Sequence, residues 1–400
     1  MRSGITCTCV DCGHTFAPDD PQYLCPRCGD RAAPLRGLLY LNYPALAAGT
    51  TLDGLSCADW LPLLPLCSAG SLPPLRVGRT PLYQRTVDGR EVWLKDDSQN
   101  PTWSYKDRAS AVVSAYAHEH GLKTIVVAST GNAGSSLAGI CAAQGQRAVV
   151  IVPAAAPEAK LMQALCYGAT VVRVDGNYDD AFELSLRASE AYGWYNRNTA
   201  FNPLTIEGKK TAAFEIACQM GAPDRVFVPV GDGVIAAGVW KGFIELHKAG
   251  LIDKIPCMAL VQATGSANLV RNLASQNGEF PPAHTLADSI CVTVPRNLGM
   301  MRYLAARYPF ETITVSDGAI MDAALHLAQT QGLFVEPAAG AAWAGWLAGG
   351  GSSSGRDVVL LTGSGLKDIA PLRRRMTMPA PIRPDLDALS CALGNPDGDI

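Results

Sequence analysis

Apolar residues along this chain fall into short unbroken runs separated by segments of helical periodicity. Thr124 to Ala128, Ala148 to Val152, Thr170 to Val174, Arg225 to Val230, Met258 to Ala263 and Val358 to Thr362 are brief runs rich in valine and isoleucine. Runs of that length and composition predict strands buried on both faces. Between them, Pro157 to Tyr167 and Tyr178 to Tyr192 repeat apolar residues at helical spacing, each with a glycine just beyond. Ala109, Val112, Val113, Tyr116 and Ala117 mark another helix, closed by Gly121. Ser135 to Ala143, stopped near Gly145, and the segment from Gly233 to about His247 complete the set. The alternation predicts an α/β fold with parallel sheets covered by helices on both faces. No internal repeat is evident. Gly349 to Gly355 reads as a flexible loop and the Pro-rich stretch from Met378 as a loosely held tail.

Length and charge narrow the classes. A chain of 400 residues is too long for one compact core and predicts two lobes plus an appendage. The net charge of −3, with both signs dispersed, gives no polyelectrolyte signal for nucleic acid or an anionic membrane. No apolar run approaches the roughly 18 residues of a membrane span, and Met1 to Val10 holds no apolar signal core. Most of the thirteen cysteines, such as Cys141, Cys166, Cys218 and Cys257, lie in apolar runs. That predicts small core thiols in a reducing compartment, so a cytoplasmic protein is expected.

The N-terminal cysteines differ. Cys9 and Cys12, then Cys25 and Cys28, form two C-x2-C pairs whose spacing fits a four-thiolate structural zinc site. Four thiolates leave no open position, so a catalytic zinc is not expected. Cys7 and His14 stand as substitute ligands, and a pair of redox thiols is the alternative. Asp11, Asp19, Asp20 and Asp30 outweigh Arg27 and Arg31, which argues against phosphate contact by this ribbon.

Three motifs carry the chemistry. An Asn100-Pro101 turn leads to Lys106 at the start of a helix, where the positive end of the helix dipole disfavours the ammonium form. A lysine that loses its proton readily suits Schiff-base chemistry. Ser129, Thr130, Gly131, Asn132, Ala133 and Gly134 follow a strand and open a helix, a geometry that offers backbone N–H groups to a carboxylate. Gly231, Asp232 and Gly233, with Val234 and Ile235, form a second cradle of phosphate size. A lysine, a carboxylate cradle and a phosphate cradle together describe pyridoxal 5'-phosphate with an amino-acid substrate.

At these residues the chain resembles the threonine synthase branch of the fold-type II pyridoxal-phosphate enzymes. Val77 to Leu82, Lys95 to Arg108, Ser129 to Gly134, Asn202-Pro203 with Glu207 to Thr211, and Thr362 to Asp368 match the family's ordered motifs. Leu38 to Tyr43 resembles the strand after its N-terminal ribbon. The resemblance implies a zinc ribbon over residues 1–36 and a large lobe in two parts, 37–106 and 199–400, around a small lobe over 107–198. It implies Lys106 as the cofactor lysine, Asn132 at the cofactor's phenolic oxygen with an N-cap role as the alternative, and Gly231 to Ile235 at its phosphate. Ser129 to Ala133 would hold the substrate and Thr362 would meet the pyridine nitrogen. A neutral hydroxyl there makes the ring a weaker electron sink, which suits elimination and replacement. Glu336 is weighed only as a helix-start carboxylate.

The departures concern the substrate. Family members grip the phosphate of O-phosphohomoserine with a threonine, serine, arginine and asparagine that align with Ala133, Ala200, Thr205 and Ile235. Trp103 replaces a glycine before the lysine. Either Lys209, Lys210 or Arg296 substitutes, or the substrate is another amino acid. The expectation is a threonine synthase-like lyase. The alternatives are a β-elimination or β-replacement enzyme on serine, threonine or an O-activated serine, in the manner of dehydratases or cysteate synthase, and a non-catalytic regulatory protein. A homodimer is the expected assembly.

Overall fold

The computed structural model describes residues 2–18, 22–275, 278–349 and 355–394. Its largest sheet has six strands in the order Phe310–Val315, Cys257–Ala263, Arg225–Pro229, Asp357–Leu361, Arg90–Asp96 and Leu82–Val87. The first five run parallel, and the last pairs antiparallel with its neighbour. The parallel sheet expected from the sequence is present, with one antiparallel strand added at its edge. Its edge is a hairpin turned at Asp88 and Gly89, both at positive φ (50° and 72°), the backbone that a two-residue hairpin turn demands.

Both faces of this sheet are covered at its centre, which explains why the inner strands Cys257–Ala263, Arg225–Pro229 and Asp357–Leu361 read as continuous apolar runs. Val226, Val228, Met258, Leu260, Val358 and Leu360 pack on one side, with Trp240 and Phe243 of helix Val234–Lys248. Phe227, Ala259, Val261, Val359 and Leu361 pack on the other, with Trp343 and Trp346 of helix Pro337–Ala348. A second sheet has four parallel strands in the order Thr170–Val174, Arg147–Pro153, Thr124–Ala128 and Tyr195–Asn196. Helix Tyr178–Tyr192 closes one of its faces through Ala181 and Phe182, started by an Asn177–Asp180 capping box and stopped by Gly193 in the left-handed region.

The segment from Pro157 to Tyr167 forms helix Glu158–Cys166. The C-terminal stretch is not wholly irregular, since Leu386–Leu393 is an exposed helix begun by Asp385. Gly350 to Ser354 of the Gly-Ser loop, and Asp19 and Asp20 of the ribbon, lie outside the described residues.

Two buried ion clusters brace this frame. Glu215 accepts from Lys95 Nζ at 2.8 Å and Arg108 Nη1 at 2.6 Å, and from the backbone N–H of Arg79 at 2.8 Å and Thr80 at 3.2 Å. Asp97 takes the other edge of the same guanidinium. Arg108 lies two residues beyond Lys106, so this cluster fixes the first turn of helix Lys106–Glu119. In the second cluster Glu207 meets Lys210 and Lys241, and Tyr43 donates its hydroxyl to Glu207 at 2.8 Å. Tyr43 follows strand Leu39–Asn42, which pairs with Thr6–Cys9 in a small N-terminal sheet. That contact docks the cysteine-bearing segment on the main body.

Candidate active site

Parallel sheets gather loops at the carboxyl ends of their strands, and ligands bind there. Strand Thr124–Ala128 runs into Ser129–Gly131 and helix Asn132–Gln144. Strand Arg225–Pro229 runs into Gly231–Gly233 and helix Val234–Lys248. Strand Asp357–Leu361 ends at Thr362. All three ends open on one cavity of about 450 Å³. Lys106, Ser129, Thr130, Gly131, Asn132, Ala133, Gly231, Asp232, Gly233, Val234, Ile235 and Thr362 all line it.

Lys106 opens its helix against the end of that last strand. The N–H of Tyr105 donates to the Thr362 carbonyl at 2.8 Å, so the lysine is tied to the loop across the cavity. Its pKa is pushed down to about 8, first by burial and then by Arg197, against opposing pulls from Glu336 and Asp232. The depression expected from the helix dipole is present, but burial and a neighbouring cation cause it.

Two helix starts face the cavity without side-chain caps. Gly131 and Gly233 precede them, leaving first-turn N–H groups free for an anion. Gly233 has φ +84°, and a Cβ there would meet Leu269 Cδ1 and Met301 Cγ at 2.7 Å. Only glycine fits that turn.

Asn132 is the first residue of its helix rather than a cap. Its Nδ2 donates to Glu336 Oε2 at 2.7 Å, and Thr362 Oγ1 donates to Glu336 Oε1 at 3.1 Å. Glu336 thus joins two expected site residues and itself lines the cavity. The Thr362 hydroxyl, the neutral group expected from the sequence, is oriented by Glu336. Its proton goes to Glu336, so it presents acceptor lone pairs toward the cavity.

Residues outside the three motifs also line the cavity, some of them from a segment, 288–294, that sequence patterns did not mark. Asp288 to Val294 form one wall, with Ser289 donating to Glu336 Oε2 at 3.2 Å. Tyr178 and Thr199 add to the lining, as does Arg296, which pairs with Asp179 and stacks over Phe182 at 4.0 Å. Of the four departures, Ala133 and Ile235 line the cavity, whereas Ala200 and Thr205 are buried and do not line it. Trp103 does not crowd the main cavity. It is half exposed at φ +65° and borders a neighbouring hollow of about 260 Å³.

A lysine beside two anion cradles fits pyridoxal phosphate, and the comparisons agree. The model of the pyridoxal-phosphate dependent enzyme family matches residues 74–365. The chain belongs to that family. A threonine synthase of Methanocaldococcus jannaschii is 33% identical over 95% of this chain and 97% of its own. A threonine synthase of Mycobacterium bovis is 36% identical over 84% of this chain and 92% of its own. Within the family the protein is a threonine synthase-like lyase. Its fold also matches the crystal structure of a threonine deaminase from T.th., at TM-score 0.62 and 26% identity, over 72% of this chain and 92% of that one.

The N-terminal cysteines form a separate cluster. The Sγ atoms of Cys9, Cys12, Cys25 and Cys28 all lie within 4.8 Å of one another. Cys9 and Cys28 are 3.4 Å apart and Cys12 and Cys25 3.7 Å, near the separation of about 3.7 Å that tetrahedral Zn–S bonds of ~2.3 Å impose. The N–H groups of Cys12 and Arg27 point at the sulfurs of Cys9 and Cys25. Neither Cys7 nor His14 joins the group: Cys7 is buried near Glu207 and Lys241, and His14 stacks on Phe16. No helix among the described residues is long and apolar enough to cross a membrane.

Proposed function

We propose that this enzyme converts O-phosphohomoserine to threonine and phosphate. The observation that carries the reading is the single cavity in which Lys106, two uncapped helix starts and the Asn132–Glu336–Thr362 chain converge. Lys106 would attach the cofactor, Gly231 to Ile235 would hold its phosphate, and Asn132 and Thr362 would meet its ring. Pyridoxal phosphate, when bound, supplies an aldehyde for the substrate amine and a ring that accepts electrons from Cα. The backbone of Ser129 to Ala133 would hold the α-carboxylate. With its pKa near 8, Lys106 takes a proton from Cα and returns it later at ordinary pH. Zinc is proposed as a structural ion on Cys9, Cys12, Cys25 and Cys28. A cytoplasmic homodimer, with residues 107–198 as the small lobe between the two parts of the large one, completes the proposal.

Ala133 and the buried Thr205 favour a second reading, β-elimination from serine or threonine, because they offer no fork for a substrate phosphate. The discriminating experiment supplies O-phosphohomoserine, O-phosphoserine, serine and threonine to the purified holoenzyme and scores phosphate, keto acid and amino-acid products. Threonine with equimolar phosphate from the first substrate is the expected result. Keto acid from serine or threonine, with no threonine formed from O-phosphohomoserine, would replace it with the second reading.

A further inference from the structure

Helix Leu204–Lys209 carries Thr205 and Lys209 one turn apart, so both side chains lie on one face. Thr205, aligned with the family's arginine, is closed off, its hydroxyl donating to the Asn202 carbonyl at 2.7 Å. Lys209 is equally buried, yet its Nζ has no hydrogen-bond partner among the described residues. The other two candidate cations are committed: Lys210 pairs with Glu207 and with Glu245 at 2.7 Å, and Arg296 pairs with Asp179.

Arg197 shares the same condition. It is fully buried, and its Nη2 also has no hydrogen-bond partner among the described residues, while Nη1 donates at 2.8 Å to the hydroxyl of Thr199, a cavity residue. Lys209 lies within electrostatic reach of Arg197 and of two cavity residues, Lys106 and Asp232. Burial and the two cations push its pKa well below the ordinary value, with Asp232 opposing. Asp232 does not hydrogen-bond it, and instead accepts the Arg296 N–H at 2.9 Å. Two desolvated basic side chains with open donors are held in their charged forms only where an anion reaches them.

We propose that Lys209, backed by Arg197, receives the anionic leaving group on the substrate's side chain, a phosphate in the reading above. The cation then stands one helical turn from the family's arginine position. The proposal rests on the threonine synthase-like reading of the cavity. The cofactor's own phosphate has the same chemistry, so the test separates the two.

Inorganic phosphate is the probe, titrated into the holoenzyme with L-norvaline, a neutral amino acid, and followed by cofactor absorbance. Lys209→Gln should weaken phosphate binding at least about tenfold, as expected for loss of a charge-assisted contact. Norvaline and cofactor affinities should stay within about twofold, and Lys209→Arg should recover most of the loss. Lys209→Met serves as a second neutral variant should Lys209→Gln fold poorly. The proposal is overturned if phosphate does not bind the wild type, if its affinity is unchanged in the neutral variants, or if cofactor affinity falls instead. The product assay stays separate: wild-type enzyme that forms no threonine refutes the named substrate, while a tenfold loss of phosphate binding still assigns Lys209 to the anion.

Discussion

Lys106 shows how one residue's surroundings set its chemistry. Its neighbours in sequence place it at a helix start, and burial beside Arg197 lowers its pKa to about 8. The unfolded chain holds that proton up to about pH 10.4. Between about pH 8 and 10 the unfolded state therefore binds more protons at this site, and apoprotein stability rises with pH. Below about pH 8 the penalty of the buried charge is present in full. Lys367, also held at about 8 by burial, acts in the same sense, so the signal lies in a difference. Wild-type stability minus that of Lys106→Met, from denaturant unfolding of apoprotein, should be flat from pH 6 to 7.5 and climb toward pH 10. A difference that is flat throughout would mean that the amine titrates normally. The role of Glu336 could not be read at this scale, because its partners Asn132 and Thr362 are remote in sequence and only the fold brings them together.

Among the elements, those buried on both faces were plainest in the sequence. Thr124–Ala128 matches its apolar run residue for residue, since a strand covered on both sides needs no polar alternation, whereas Thr170–Val174 matches its run although it is a partly exposed edge strand rather than the buried one expected. The hairpin Leu82–Asp96 escaped notice because its outer strand is polar and half exposed, although Asp88-Gly89 marks its turn. The wall Asp288–Val294 carries no periodicity and holds its place through contacts such as Ser266 Oγ to the Ile290 carbonyl at 3.0 Å. The cysteine pairs were clear because metal spacing is a local property. Cys25→Ser should reduce bound zinc from one ion per chain to a small fraction and lower the melting temperature, while turnover at low temperature persists. Metal analysis and thermal denaturation check this. Unchanged stability in a metal-free variant would mean that the four thiols hold no structural ion.

At the scale of the whole molecule, the sheets place their carboxyl ends on a common cavity, and the ion clusters hold the helices that line it. Glu215 joins Arg79 and Thr80 to Lys95 and Arg108 in a buried network, so these residues of the two family motifs work through positioning. In the proposed enzyme the cofactor is carried by Lys106 within this cavity. Lys209 and Lys367 are also lysines of lowered pKa nearby, which makes them the physical competitors. Borohydride reduction of the holoenzyme, followed by proteolysis and mass spectrometry, locates the attachment directly. One pyridoxyl group per chain is expected, on Lys106, and none in Lys106→Ala after bound amines are removed. A label on Lys209, Lys367 or any other lysine would contradict that assignment.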